Sequence, residues 1–220
     1  MSSWALLQLA DSAFPSGGFA HSGGLEAAVQ AGAVRSAREL ESLVHGVIWQ
    51  CAISALPLVH AAHDDSARLE ELDALSDATL WSHVGKRASR TQGRAFLDAA
   101  SKTWSAPSIA TWRVALTERR IEGHFAPLFG AVARAVEVSR EETSQAFLHA
   151  ALRSILSAGV RLGVLGPYEA QAMTARAAST LERALREGCA RSVDELAQPM
   201  PILELLQGTQ DLLYSRLFQS

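Results

Sequence analysis

No asparagine occurs anywhere in the 220 residues, so the Asn-Gly signal of a tight β-hairpin is missing. Lysine is nearly absent too: Lys86 and Lys102 stand alone, and arginine supplies the rest of the positive charge. The net charge is −3 and the pI about 6.2, which excludes the basic face that nucleic-acid binding ordinarily needs. Two cysteines, Cys51 and Cys189, are too few for a disulfide framework. No basic residue precedes Arg35, whereas a secretory signal peptide carries positive charge ahead of its apolar run. Asp11 and Pro15 interrupt the N-terminal apolar run, and no stretch approaches the roughly 20 apolar residues of a membrane span. These absences predict a soluble protein of a reducing, cytoplasmic compartment, with neither a nucleic-acid nor a membrane partner.

What is present is helix former. Ala, Leu, Arg and Glu dominate, and apolar residues recur at three- and four-residue spacing. Ser36 with Glu39, and Ser139 with Glu142, match the capping box. An apolar stripe follows each: Leu40, Leu43, Val44, Val47 and Ile48, then Phe147, Leu148, Leu152, Ile155 and Leu156. Further helices are expected near 66–82, 85–103, 108–119, 125–138, 168–187 and 202–214. Pro107, Pro127, Pro167, Pro199 and Pro201 fall between them or at their starts, where proline is tolerated. With 48% hydrophobic residues, no repeat and no Gly/Ser linker, the chain reads as one all-α domain over 1–220, a bundle of roughly eight to ten helices. The exception is Asp11–Gly24, a loop with Pro15 and four glycines that feeds a helix starting near Leu25.

The signatures of chemistry are missing. Gly85-Lys86 runs into Arg87, so no phosphate-binding loop is formed. Neither Ser16 nor Ser22 sits in a Gly-x-Ser-x-Gly elbow. Nothing in the sequence places a base beside Cys51 or Cys189, and each reads as a small buried hydrophobe. His60 and His63, with Asp64 and Asp65 behind them, are weak metal candidates on one helix face; the plainer reading is a solvated helix end. The glycine loop reads as a structural turn or a packing surface for a partner, with an anion cradle as the alternative. His21 within it reads as a hydrogen-bonding residue. The chain closes on an apolar cluster, Leu212, Leu213, Tyr214, Leu217 and Phe218. That is either a last helix packed on its own core or a tail that docks on another protein, and Tyr214, Arg216 and Phe218 are types favoured as interface anchors.

Three segments resemble one family. The run Leu6–Glu26, with Phe14-Pro15-Ser16-Gly17-Gly18-Phe19-Ala20-His21-Ser22-Gly23-Gly24-Leu25-Glu26 at its heart, is similar to the opening of UreF-type urease accessory proteins. Arg161-Leu162-Gly163-Val164-Leu165-Gly166 resembles their Arg-Leu-x-x-Leu-Gly segment, and Tyr214–Ser220 their terminus. Thr91-Gln92-Gly93-Arg94 is a weaker match. Departures stand at Ser16, Ala20, His21, Gly23, Val164 and Pro167. Another falls at Gln210-Asp211, where a His-Glu pair is frequent; no metal or proton role of that histidine carries over.

The resemblance implies an all-helical, often homodimeric protein without catalysis or a tightly bound cofactor of its own. It would bind the D/H-type urease accessory protein and then the accessory GTPase, and the complex would deliver nickel to apo-urease. On the matching positions it implies a partner surface of Gly18, Phe19, His21, Ser22, Leu25, Glu26, Arg161, Leu213, Tyr214, Ser215, Arg216, Leu217 and Phe218. Three mechanisms are open: a scaffold docked through tail and glycine loop; a trans-acting GTPase regulator with Arg161 or Arg94 as an arginine finger; and a weak nickel metallochaperone using His60 and His63.

Overall fold

A computed structural model describes residues 3–220, and they form a single all-helical body. There are twelve α-helical segments: α1 Ser3–Ala10, α2 Leu25–Gln30, α3 Ala37–Gln50, α4 Leu56–Asp64, α5 Leu69–Thr79, α6 His83–Thr103, α7 Pro107–Thr117, α8 Phe125–Ala135, α9 Arg140–Arg161, α10 Pro167–Arg176, α11 Ala178–Ala190 and α12 Pro201–Gly208. No strand occurs among the described residues.

Segments α3 and α4 are one continuous helix of 28 residues, Ala37–Asp64. A π turn at Cys51–Ala55 joins them, with Leu56 N–H bonding to Cys51 O. The wider turn sits immediately before Pro57, which has no N–H to give and would otherwise clash with the preceding turn. By length and composition this helix is apolar enough to cross a membrane, contrary to the expectation that no stretch approaches that. Here it is the central helix of the core. Leu40, Val44, Ile48, Ala52, Leu56 and Val59 are fully buried, and α8, α9 and α11 pack around it.

The closest packing is between α4 and α8. A Cβ on Gly130 would lie 2.0 Å from Val59 O, so the two backbones meet where only glycine fits. An aromatic cluster fills the space between α6, α8 and α9. Phe14, Phe96, Phe125, Phe129 and Phe147 form a chain of ring contacts, with centroids 5.3 to 5.8 Å apart.

The caps are largely those expected. Ser139 and Glu142 close the full capping box of α9. At α3 only half forms: Ser36 Oγ accepts from Glu39 N–H, while the Glu39 carboxylate accepts from Arg35 N–H, one residue further out. The stretch expected as one helix over 168–187 is divided by a turn at Ala177. The last helix ends at Gly208, short of 214, and a single 3₁₀ turn at Gln210–Leu212 leads into an irregular tail.

Candidate functional site

The glycine loop, the end of α9 and the C-terminal tail meet at one corner of the fold. The loop turns twice through left-handed backbone. Gly24, with φ of +91°, feeds α2 directly, a conformation costly for any residue with a Cβ.

The first turn of α2 holds the tail. Glu26, buried, accepts hydrogen bonds from Leu217 N–H at 2.6 Å, Phe218 N–H at 3.1 Å and Gln210 Nε2 at 2.6 Å. Ser22 Oγ donates to Ser220 O at 2.9 Å, Gln219 N–H donates to Ala20 O at 2.8 Å, and Gln30 Nε2 donates to Ser215 O at 2.8 Å. His21 Nδ1 lies 2.7 Å from Ser220 Oγ. Burial, with the Arg87 charge behind it, lowers the His21 pKa and favours the neutral ring. Phe218 itself is only 4% exposed.

Arg161 ties the loop to the tail. Its guanidinium donates to Phe19 O at 2.6 Å and lies 3.8 Å from the Phe19 ring centroid and 4.1 Å from that of Phe218, a double cation–π contact. Asp211 anchors the start of the tail to α6. Arg87 bonds it through both terminal nitrogens, with His83 and Arg216 at 3.3 Å. The Arg87 hydrogen bonds, then Arg87 and His83 charge, hold the Asp211 carboxyl down to about 2. Gln210, buried beside it, bridges Glu26 and Phe218 O.

The residues carried over from the resemblance therefore divide. Ser22, Leu25, Glu26 and Phe218 are buried. In this conformation they contact no partner, and their part is to hold the corner together; Leu25 is plain core, since the loop turns inward at Gly24. Phe19 at 72%, Leu217 at 53% and Tyr214 at 104% exposure are the apolar surface left outside. Ser215 and Arg216 are exposed beside them, and Leu213 and Gly18 half-buried. The tail is thus bound to its own chain, though not as the terminal helix that was one of the two expectations.

The weak metal candidates are not on a solvated helix end. His60 and His63 are buried, because α4 is covered by α8 and α9. Ser144 gives its hydroxyl proton to Arg140 O, so His60 Nε2 donates to Ser144 Oγ, 2.6 Å away. His63 Nε2 donates to Val138 O at 2.9 Å. Only the Nδ1 lone pair of each ring is then left, and that of His60 is buried with no partner. Among the described residues no group of three or more His, Cys, Asp or Glu side chains is arranged to hold one.

Cys189 does have a neighbour that the sequence did not reveal: His60 Nε2 lies 3.8 Å from its Sγ. That nitrogen donates rather than accepts, and partial desolvation raises the thiol pKa; contrary to the sequence reading, Cys189 is exposed rather than a buried hydrophobe. Cys51 is pushed up to about 12 by burial alone.

Sequence reasoning missed Arg153 and gave Gln92 no role beyond its place in the weaker matching segment. Both line a cleft of about 450 Å³ under the glycine loop. Gln92 belongs to the weaker matching segment and approaches Gly18, whose Cβ would lie 3.0 Å from Gln92 Nε2. Arg153 precedes Arg161 by eight residues and shares its helix ridge, a signal that was available.

Comparison with known proteins points one way. The UreF family model matches residues 34–178. A protein named urease accessory protein F from Arabidopsis thaliana is 38% identical, over 99% of this chain and 92% of its own length. One of that name from Oryza sativa subsp. japonica is 36% identical, over 98% and 84%. Urease accessory protein UreF of Agrobacterium fabrum is 34% identical, over 94% and 92%.

Proposed function

Since the chain belongs to the UreF family of urease accessory proteins, we propose that it is a non-catalytic scaffold of urease maturation. Its exposed tail and glycine loop dock the D/H-type accessory protein. The pair then recruits the accessory GTPase, and nickel passes to apo-urease as the cargo of the complex. The chain works as a homodimer in the cytoplasm.

One observation carries this reading. The segments that most resemble the family converge on a single corner, and that corner exposes Phe19, Leu217 and Tyr214 over buried anchors. Large apolar side chains held on a rigid base are what interface hot spots are made of. The arginine-finger reading is weaker, because a finger needs a guanidinium free to reach a phosphoryl group. Arg161 is sandwiched between two rings, and Arg94 is bonded to Glu122 O and its carboxylate. A gating role needs no finger: a bound scaffold shifts the nucleotide state of the GTPase by its differential affinity for the two states.

Co-expression of the tagged chain with its D/H-type partner and GTPase, sized by light scattering, tests the proposal. A stable complex containing all three is expected. Replacing Tyr214 and Leu217 together by Ser should abolish it with helicity unchanged, because both side chains stand outside the core. Failure of the wild-type chain to assemble, or full assembly by the double variant, would defeat this reading.

A further inference from the structure

The cleft under the glycine loop has an apolar floor and a cationic wall. Phe14, Phe96, Phe125 and Phe129 form the floor. The wall is the α9 ridge of Arg153, Ser157 and Arg161, about 12 Å from first to last at 1.5 Å per residue. Neither arginine meets a carboxylate among the described residues. Arg153 donates to Ala10 O, and Arg161 to Phe19 O, leaving most of the five N–H donors of each guanidinium uncommitted. Asp11 is the one acid among the described lining residues, and its Oδ1 already accepts from Ala13 N–H. His21 also lines the cleft, and its buried Nε2 has no partner.

A second cleft of about 220 Å³ adjoins the first and shares Gln92, Phe125, Ala150 and Ser154 with it. Sharing these four residues, they make one groove that runs from the glycine loop past Gln92 to Leu203 of α12, with room for more than one side chain. Apolar depth with a few convergent polar groups is the usual make-up of a binding site. Arg153, with no ring or carboxylate against it among the described residues, selects for a carboxylate, which it can hold bidentately.

We propose that this groove receives an acidic, apolar segment of the partner protein, with a large side chain on the phenylalanine floor and a carboxylate on Arg153. The proposal rests on the scaffold reading and adds the chemistry of the segment that is captured.

Two measurements test it. In the first, the purified D/H-type partner is titrated onto the full chain as wild type, Ser154→Trp and Arg153→Gln, each checked for unchanged helicity. Ser154 lines both clefts, so Trp there fills the groove. Each substitution should raise Kd at least tenfold, and added salt should weaken the wild type more than Arg153→Gln. Wild-type affinity in both folded variants overturns the proposal and leaves the scaffold reading standing. No binding by the wild type itself overturns the scaffold reading, and the second measurement then decides the groove.

In that measurement N-acetyl-phenylalanine and its uncharged amide are titrated into the isolated chain. Binding is followed by the indole resonance of Trp104, which stacks on Phe14. The acid should bind at least threefold tighter than the amide, and Arg153→Gln should remove the difference. No binding, or equal binding, overturns the proposal. A preference for the acid combined with unchanged partner affinity also overturns it, and assigns the groove to a small carboxylate instead.

Discussion

Glu26 shows how one side chain organises a corner. Its carboxylate is buried and takes three donors, two of them backbone N–H groups of the tail. Glu26→Ala strands those donors, at roughly 1–3 kcal/mol for each that stays buried. The expected loss is about 2–4 kcal/mol in urea unfolding, with faster tryptic cleavage after Arg216 as the tail loosens. An unmoved midpoint would mean that the tail is not held by this residue. None of these partners is near Glu26 in the sequence, so its role was visible only as part of a resemblance. The same holds for His60 and His63: their bonding partners, Ser144 and Val138, come from another part of the chain. A histidine pair looks alike from the sequence whether it faces solvent or core.

Helices were the legible level, because apolar spacing and caps are local. The starts of α3 and α9 were readable from Ser36 and Ser139, and the ends of α6, α7 and α8 fell within a few residues of expectation. The break at Ala177 was not, since an Ala-rich stretch carries no local breaker and tertiary packing decides where it turns. Nor was the π turn before Pro57. Helix contacts also invert a local rule. In an exposed helix Gly→Ala gains about 1 kcal/mol. At Gly130 the new methyl would collide with Val59 O, so Gly130→Ala should instead lose about 1–3 kcal/mol by overpacking. Thermal or urea unfolding gives the sign directly; a stabilised variant would show that α4 and α8 can move apart freely.

Across the whole molecule, buried imidazoles set the response to acid. Burial holds His60 down to about 4, with Arg140 and His63 adding to the effect and Asp64 opposing it. Burial also lowers His21 and His124, the latter opposed by Asp73 and Asp77. In the unfolded chain each titrates near its ordinary value of about 6.5. Below that pH the unfolded state therefore binds protons that the folded state refuses. Stability is full above pH 6.5 and falls as the pH drops toward 4, for His60 by up to about 1.4 kcal/mol per unit. Urea midpoints measured from pH 7 to pH 5 should decline, and His60→Gln should flatten the decline. A midpoint independent of pH would place these rings in contact with water. At this scale the all-α class and single helical body were readable in the sequence, whereas the closing of the tail onto the loop was not.

That closure joins Ser22 to a residue 198 positions later. During synthesis at about 5–20 residues per second, the glycine loop waits about 10–40 s for the segment that closes on it. Until that segment is made, the nascent chain leaves Glu26 and Ser22 without their hydrogen-bond partners, and the corner stays open. A chain interrupted before Leu217 therefore lacks the two backbone N–H groups that the Glu26 carboxylate accepts from.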